Sequence, residues 1–326
     1  MKPVVVAYSR VRKVAQDKLR EKVDLRYYPY GTNFSNENFK KDLQIADGYI
    51  GLEKKVDEEF LSYAPHLKVA SNVSVGYDNF DLEAMTKRGV MATNTPGVLD
   101  DTVADAIFGM MLAAARRISE LDRYVKDGEW KTSLPDEKFG VDVHHRTLGI
   151  IGAGRIGEKI AKRAHLGFDM PILYHNRSRK KSLEEAYGAT YCSLHDLLTK
   201  SDFVCLMTPS TPETRNLMGE KEFRIMKKSA IFVNGSRGAT VDEDALVKAL
   251  KEGEILGAAL DVYKEEPIPP NHPLLTFPNV VTTPHLGSST FVTEDNMSLL
   301  AAENVLAALA GKRPPNLLNE EVWEKK

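Results

Sequence analysis

A glycine-rich turn between an apolar run and a helix-like segment constrains the fold of this chain more than any other feature. Leu148 to Ile151 is an apolar run of strand length, residues 152–157 have the spacing G-x-G-x-x-G, and residues 158–167 carry apolar residues spaced as in a helix. Strand, glycine turn and helix in this order are the context in which that spacing binds a dinucleotide. Glycine turns after strands also occur for steric reasons alone, but the flanking strand and helix favour binding.

The residues of the turn have separate physical roles in this interpretation. Gly152 permits the tight turn, Gly154 lets the backbone approach a pyrophosphate, and Gly157 lets the helix pack closely on its strand. Arg155 and Ile156 lead into the helix N-terminus, which presents N–H groups and the positive end of its dipole to phosphates. We therefore predict that these five residues bind a dinucleotide cofactor.

The chain is long enough for two domains, since a single core rarely grows to 326 residues. Strand-like runs alternate with helical stretches on both sides of the turn, at 4–8, 23–28, 47–52, 67–72 and 90–94 and at 171–175, 203–207, 230–234, 257–261 and 280–282. This alternation predicts an α/β fold with two doubly wound parallel sheets, Rossmann or flavodoxin-like, and a cleft between the domains. The last helix, 294–310, is expected to return to the first domain. The predicted domains are therefore 1–101 with 286–326, binding substrate, and 102–285, binding NAD(P).

Composition and charge exclude several classes of function. Charged residues make up 28%, hydrophobic residues 42%, and the net charge is -2, which gives no reason to expect a nucleic-acid or membrane partner. Cys192 and Cys205 lie in apolar or helical surroundings and are expected to be buried free thiols, so no disulfide or metal site is predicted. The apolar start is too short for a signal peptide, and the longest apolar run is about half a membrane span. We predict a cytoplasmic protein.

The segment before the turn is expected to hold subunits together. Thr102 looks like the N-cap of a helix from Val103 to roughly Asp127, and residues 128–146 show no periodicity. An arm packed on a second subunit and a loop covering the cleft are both open interpretations of 128–146. The apolar surface of the two segments predicts a homodimer. Further along the chain, two pairs fit capping boxes, Ser193 with Asp196 and Thr240 with Glu243.

Three titratable residues follow late strands of the second domain. Arg237 stands in Gly235-Ser236-Arg237-Gly238, Glu266 follows the strand at 257–261, and His285 follows the strand at 280–282. Arginine suits bidentate recognition of a carboxylate. A carboxylate beside an imidazole raises the imidazole pKa, which makes an acid able to protonate a ketone oxygen as hydride arrives at carbon. A surface arginine and a structural histidine are the plainer alternatives, but together with a nicotinamide domain these groups suffice to reduce a 2-oxo acid.

At these residues the chain resembles the D-isomer-specific 2-hydroxyacid dehydrogenase family over essentially its whole length. The motifs are N-x-x-R-G at 234–238, D-V-x-x-x-E-P at 261–267 and P-H at 284–285. The resemblance implies that Arg237, Glu266 and His285 form the catalytic set. It also implies a set of binding residues. For substrate these are Val75, Gly76, Arg237 and Ser288; for cofactor they are Thr102, Thr208, Ser236, Asp261, His285 and Gly287, with Asp261 near the nicotinamide carboxamide.

Three further segments resemble the glyoxylate and hydroxypyruvate reductases of that family: 74–81, 142–145 and 163–165. The implied substrates are glyoxylate, hydroxypyruvate and 2-ketogluconate, reduced to D-2-hydroxy acids. The formate dehydrogenases of the superfamily carry Gln where Glu266 stands, so proton donation is expected here. The alternative from another class is an NAD(H)-sensing corepressor of the same fold. The arms that such proteins add are absent from this chain.

The end of the strand at 172–175 predicts which dinucleotide is used. Binding the ribose 2′-OH of NAD calls for an Asp or Glu at this point, and the chain instead continues Asn176-Arg177-Ser178-Arg179-Lys180-Lys181. A solvated basic run is the plainer interpretation, although cations are mildly unfavourable at a helix N-terminus. We predict a preference for NADP(H), with NAD(H) as a second cofactor. Arg177 and Ser178 are the expected chief contacts to the 2′-phosphate, with Asn176 beside them and Arg179 secondary.

Overall fold

The computed structural model describes the chain from Lys2 to Glu324. The described residues form two compact units: the first runs up to Leu99 and resumes at Ser289, and the second is Asp100–Ser288. The first unit is therefore built from two separate stretches of chain. The crossings that we expected after residues 101 and 285 lie after residues 99 and 288.

The first unit contains a five-stranded parallel sheet in the order β2-β1-β3-β4-β5. Its strands are β1 Val4–Tyr8, β2 Asp24–Tyr28, β3 Gly48–Gly51, β4 Val69–Asn72 and β5 Met91–Thr93; its first helices are α1 Lys13–Lys22, α2 Glu37–Gln44, α3 Glu58–Tyr63 and α4 Leu82–Lys87. Three of these helices begin at a side chain that accepts an N–H bond from the first turn: Asn36, Asp57 and Asp81. Strands β3, β4 and β5 are buried throughout, as expected for parallel strands covered on both faces.

The second unit contains a seven-stranded parallel sheet in the order β12-β11-β10-β9-β6-β7-β8. Its strands are β6 Leu148–Ile151, β7 Ile172–His175, β8 Thr190–Tyr191, β9 Phe203–Leu206, β10 Ile231–Asn234, β11 Gly257–Leu260 and β12 Val280–Thr282. Its helices are α5 Asp100–Ala115, α6 Ile118–Lys126, α7 Arg155–Phe168, α8 Lys181–Tyr187, α9 Leu194–Lys200, α10 Glu220–Arg224 and α11 Glu243–Glu252. The chain order of the strands reverses at β6, the topological switch point at which such sheets bind ligands. The predicted α/β class with two parallel sheets is confirmed.

The C-terminal helix returns to the first unit, as predicted. This helix, α12 Phe291–Leu309, is followed by the short α13 Glu321–Glu324. Ion pairs join α12 to the N-terminal part of the chain, from Arg12 to Asp295 at 2.8 Å and from Lys18 to Glu303 at 2.7 Å. A buried hydrogen bond of 3.0 Å from Asn304 Nδ2 to the carbonyl of Asn94 continues this contact. The two stretches of the first unit thus share one core.

The single long helix predicted from Val103 to Asp127 is wrong in two respects. The helix begins at Asp100, so Thr102 lies in its first turn and is not its N-cap. It also ends at Ala115, and Arg117 takes a left-handed φ of 55° before α6 starts. At this helix end the N–H of Val141 donates to the Ala115 carbonyl at 2.8 Å, a contact with a later segment that no local pattern reveals.

Of the two predicted capping boxes, one N-cap is confirmed and one is wrong. Ser193 Oγ accepts from the N–H of Asp196 at 3.0 Å and is the N-cap of α9. The N-cap of α11 is Asp242, which accepts from the N–H of Ala245 at 3.2 Å, and Thr240 ends a short 3-10 turn. Glu243 is therefore the first residue of α11, and its carboxylate is available for another contact.

The remaining expectations about the chain can be compared with the described residues. Both cysteines are free, but only Cys205 is fully buried, because Cys192 lies at the sheet edge beside β8. Within 2–324 there is no cluster of metal-binding side chains, and no helix there combines the length and apolar character needed to cross a membrane. Residues 128–146 are irregular apart from one 3-10 turn at Asp136–Lys138.

Candidate active site

The glycine turn after β6 has the geometry that a dinucleotide needs. Gly152 has a φ of 92°, and a Cβ at this position would lie 2.8 Å from the backbone N of Thr208. A Cβ on Gly157 would lie 2.9 Å from the Gly152 carbonyl oxygen, whereas one on Gly154 would meet nothing within 4 Å. The turn is therefore tightly packed at Gly152 and Gly157 and has open space at Gly154. Helix α7 starts at Arg155 without a side-chain cap, so its first N–H groups have no intrahelical acceptor and suit an anion.

The end of β7 braces this turn. Asn176 Oδ1 accepts from the N–H of Ala153 at 2.7 Å, and its Nδ2 donates to the Ala153 carbonyl at 3.4 Å. Lys180 Nζ lies 2.6 Å from Glu158 Oε2 and donates to the Gly154 carbonyl at 3.1 Å. The predicted cofactor residue Asn176 thus holds the turn itself, and one of the basic residues that follow is tied to α7.

The cations of the basic run after β7 differ in how they are paired. Arg177 and Ser178 are exposed; a hydrogen bond with Thr211 and, to a lesser extent, the Arg177 charge lower the pKa of Glu213. Arg179 instead makes two hydrogen bonds to Glu184 on α8, of 3.0 and 2.7 Å, and Tyr174 Oη donates to the same carboxylate at 2.6 Å. Sequence reasoning found no carboxylate in this region and missed Glu184, which lies one helical turn into α8.

A short loop after β10 carries Arg237. Asn234 Oδ1 accepts from the N–H of Ser236 at 3.0 Å and from its hydroxyl at 2.9 Å, while Asn234 Nδ2 donates to the Arg237 carbonyl at 3.1 Å. Thr240 Oγ1 donates to the same carbonyl at 2.6 Å. A Cβ on Gly238 would lie 1.9 Å from the carbonyl carbon of Tyr263. Asn234, which we did not predict as a site residue, therefore fixes the backbone from which the half-buried Arg237 extends.

Glu266 and His285 form an ion pair. The His285 Nδ1 lies 2.7 Å from Glu266 Oε2, and the N–H of Tyr263 donates to Glu266 Oε1 at 2.9 Å. The side chains retain 49% and 35% of their exposure, respectively, so the pair is open to a substrate. Because Nδ1 faces the carboxylate, the second ring nitrogen, Nε2, is the one left to exchange a proton with a substrate.

Asp261 holds the turn that presents His285. Its carboxylate is buried and accepts three hydrogen bonds: from Thr283 Oγ1 at 2.6 Å, from the N–H of Leu286 at 2.8 Å and from the N–H of Gly287 at 2.9 Å. His285 itself has a left-handed φ of 52°, a conformation that needs such support. The expected contact between Asp261 and the nicotinamide stays a prediction.

The protonation states follow from these contacts. The hydrogen bond with Glu266 raises the pKa of His285, against the opposing effects of burial and of the Arg237 charge; the charges of Glu266 and Asp261 add to the rise. Burial by itself would raise the pKa of Glu266, but the hydrogen bonds from His285 and Tyr263 and the charges of His285 and Arg237 bring it below its ordinary value. The pair therefore favours imidazolium beside carboxylate.

The other predicted site residues in the second unit differ in the burial and hydrogen bonding of their side chains. Thr208 Oγ1 is buried and has no partner among residues 2–324, so it suits a ligand. The Ser236 hydroxyl is occupied by Asn234 and lies 3.1 Å from Thr240 Oγ1. Thr102 and Ser288 are half-buried.

In the first unit, the loop after β4 offers backbone N–H groups. Its carbonyls are occupied: Asn72 Nδ2 donates to the Gly76 carbonyl at 2.7 Å, Ser74 Oγ donates to it at 2.9 Å, and Asn94 Nδ2 donates to the Val75 carbonyl at 2.8 Å. The N–H groups of Val75 and Gly76 have no acceptor in the described part of the chain. Adjacent N–H groups held in this way suit a carboxylate.

Comparison with known proteins agrees with this geometry. Residues 108–287 match the family model described as D-isomer specific 2-hydroxyacid dehydrogenase, NAD binding domain. A glyoxylate/hydroxypyruvate reductase B of Yersinia pestis is 45% identical over 322 residues, 99% of each chain. The chain belongs to the D-isomer-specific 2-hydroxyacid dehydrogenase family, as the resemblance predicted, and it is an oxidoreductase that uses a nicotinamide dinucleotide.

Solved structures of relatives share the fold. An NADPH-dependent glyoxylate/hydroxypyruvate reductase from Sinorhizobium meliloti, in complex with NADP and malonate, is 29% identical with a TM-score of 0.87 and 98% of each chain covered. A D-lactate dehydrogenase from Aquifex aeolicus, complexed with NAD and lactic acid, is 28% identical with a TM-score of 0.86, covering 96% of this chain and 99% of that one. The two relatives use different dinucleotides, so fold alone does not select between them.

The ion pair makes a prediction about pH. We expect reduction to require protonated His285, so the rate should fall as the pH rises through the pKa of this residue. Glu266→Gln removes the charge that raises this pKa, and the alkaline limb of kcat/KM for reduction of a 2-oxo acid should move to lower pH by about 1–3 units. Glu265→Gln removes an equal, exposed charge one residue away and should leave the limb in place. Coincident limbs for wild type and Glu266→Gln would contradict the assignment.

Proposed function

We propose that this protein reduces glyoxylate and hydroxypyruvate to D-2-hydroxy acids, with 2-ketogluconate as a further substrate and NADPH preferred over NADH. The observation that carries the proposal is the Glu266–His285 pair at 2.7 Å, with Arg237 beside it on the loop after the neighbouring strand. The three residues follow β10, β11 and β12, which are adjacent in the sheet, so their loops meet at one edge. The names of the reductases described above support the choice of substrates.

The chain's own groups divide the chemistry between them. Bound nicotinamide supplies the hydride that reaches C2. Arg237 holds the carboxylate and polarises the carbonyl, since a guanidinium suits both roles. His285 Nε2 delivers the proton to the carbonyl oxygen, and Glu266 keeps the imidazole charged and oriented until transfer. We assign the N–H groups of Val75 and Gly76 to the substrate carboxylate, and Ser288 to the substrate as well.

The cofactor contacts proposed for the second unit differ in how directly they reach the ligand. The N–H groups at Arg155, Ile156 and Gly157 meet the pyrophosphate, and the unpartnered hydroxyl of Thr208 is a donor for the same ligand. Thr102, Ser236, Asp261 and Gly287 line the site, with Ser236 and Asp261 acting mainly through the loops that they hold.

His285→Ala tests the mechanism. Loss of a general acid costs roughly 10²–10⁴ in rate, so kcat for reduction of glyoxylate should fall by that factor, while NADPH binding measured by fluorescence should be retained. His195→Ala, a change on the exposed face of α9, is the matched control and should keep wild-type rates. An unchanged kcat in His285→Ala would exclude the scheme. Tight NADPH binding by the wild type without turnover on any 2-oxo acid would favour the corepressor alternative instead.

The preference for NADPH rests on Arg177 and Ser178. A hydrogen bond to a charged group contributes about 1.5–3 kcal/mol, so two such bonds to the 2′-phosphate support a preference of around a hundredfold or more. Arg179 contributes less because Glu184 already neutralises it through two hydrogen bonds. NADH lacks the phosphate and gains nothing from either arginine.

Two matched arginine variants test this assignment. Arg177→Ala should raise KM for NADPH about tenfold or more, from the loss of one charged bond, and leave KM for NADH nearly unchanged. Arg179→Ala removes the same charge two residues away and should change both values little, because its partner is Glu184. Steady-state kinetics with each cofactor provide the measurement. Equal efficiency of wild type with NADH and NADPH would refute the preference.

We further propose a homodimer formed through α6 and the irregular segment 128–146. Four large apolar side chains lie exposed there: Ile118 at 54%, Val125 at 51%, Trp130 at 61% and Phe139 at 58%. Exposed apolar side chains on these successive segments support a contact surface there. Light scattering at micromolar concentration should give twice the chain mass of 36.3 kDa, and a value near the single mass would rule the dimer out. The cytoplasmic location rests on the sequence alone and stays a prediction.

A further inference from the structure

The carboxylate of Glu243 contacts the loop that carries Glu266. Glu243 Oε1 accepts from the backbone N–H of Lys264 at 2.6 Å, and Oε2 lies 3.4 Å from His272 Nε2. The side chain of Glu243 is only 13% exposed and that of His272 21%. Lys264 precedes Glu266 by two residues, so this contact is made by the same short loop that holds the ion-pair partner of His285.

The contact with His272 is oriented by a second hydrogen bond. The N–H of Leu274 donates to His272 Nδ1 at 3.3 Å, so Nδ1 is the acceptor and Nε2 carries the proton that faces Glu243. Glu243 therefore meets donors from both ends of the segment 264–272. No helix or strand lies within this segment, so side-chain contacts of this kind determine its position.

Glu266 depends on the position of this segment. The ion pair with His285 requires Oε2 to reach Nδ1 at 2.7 Å while Oε1 accepts from the N–H of Tyr263. Tyr263 is anchored through its hydroxyl, which lies 3.0 Å from the carbonyl oxygens of both Leu260 and Thr283 and shares its one proton between them. The next residue, Lys264, has Glu243 as its anchor. Residues 264–267 are otherwise exposed.

We propose that Glu243 is a positioning residue for the reduction: by accepting the N–H of Lys264 it sets the loop so that Glu266 reaches His285. The inference rests on the proposed function, because it concerns the same proton donor. In this proposal Glu243 acts through Glu266 and not directly on substrate or cofactor. The sequence suggested a capping box for this residue, and the structure assigns its carboxylate to the loop instead.

The charged groups around His285 determine how its pKa would respond if the loop that carries Glu266 were displaced. His285 faces Glu266, Arg237 and Asp261, and Glu266 faces His285 and Arg237. Asp261 is held by its own three hydrogen bonds at the end of β11, whereas the loop of Arg237 packs on the backbone of Tyr263 and Lys264 at Gly238. We expect loss of the Glu243 contact to move Glu266 away from His285, which lowers the pKa of His285 and shifts the alkaline limb to lower pH.

Three variants of Glu243 distinguish the effect of its hydrogen-bond acceptor from the effect of its charge. Glu243→Ala removes the acceptor, and Glu243→Asp keeps the charge and the acidic helix start but is too short to reach Lys264. Glu243→Gln loses the charge but retains an oxygen that accepts from Lys264. The alkaline limb of kcat/KM for glyoxylate should move to lower pH in the Ala and Asp variants, by part of the roughly 1–3 units that Glu266→Gln sets as the limit. It should stay at the wild-type position in Glu243→Gln, and KM for NADPH should stay constant throughout.

Asp244→Ala is the matched control, since Asp244 is an exposed acid in the same first turn of α11. It weakens the helix start equally and should leave the limb in place. An unmoved limb in Glu243→Asp overturns the inference, whether or not Glu243→Ala folds. A limb shifted as far in Glu243→Gln as in Glu243→Asp also overturns it. If His285→Ala keeps its rate, the proposed function itself fails; if that variant loses its rate while the limb stays fixed, only the role of Glu243 fails.

Discussion

The ion pair between Glu266 and His285 is the interaction on which the rest of the site depends. Burial works against the charged form of each group, since it favours a neutral carboxylic acid and a neutral imidazole. Together at 2.7 Å they stabilise each other's charged form. The surrounding structure maintains this distance. Asp261 supports the strained backbone at His285 through three hydrogen bonds, and the N–H of Tyr263 supports Glu266.

The parallel sheet makes this arrangement possible by bringing consecutive loops to one edge. Since β10, β11 and β12 are neighbours that run in the same direction, residues far apart in the chain meet where these strands end. The loops must also approach closely, and this explains Gly238, where a side chain would collide with the backbone of Tyr263. Arg237 lies next to this contact, so the position of the guanidinium depends on how closely the two loops pack.

At the cofactor end of the second unit, ion pairs neutralise part of the positive charge. The run after β7 contains several cations, yet Arg179 and Lys180 are each bound to a carboxylate, Glu184 and Glu158. Their charge is largely neutralised within the protein. Arg177 remains exposed after the braced glycine turn, which is why we propose this guanidinium and the neighbouring Ser178 hydroxyl as the groups that select between the two dinucleotides.

The sequence by itself determined the features of this protein that depend on residues close together along the chain. The sequence predicted the strand, glycine turn and helix at 148–167, the alternation of strands and helices, and the polar residues that follow β10, β11 and β12. These features depend on chain direction and glycine sterics, which act over a few residues. Tertiary structure alone decided the features that need two distant segments. The bond from the Val141 N–H to the Ala115 carbonyl at the end of α5, and the contact of Glu243 with Lys264, each join residues brought together by folding. A tertiary hydrogen bond can join residues at any separation along the chain, and for this reason no local pattern reveals it.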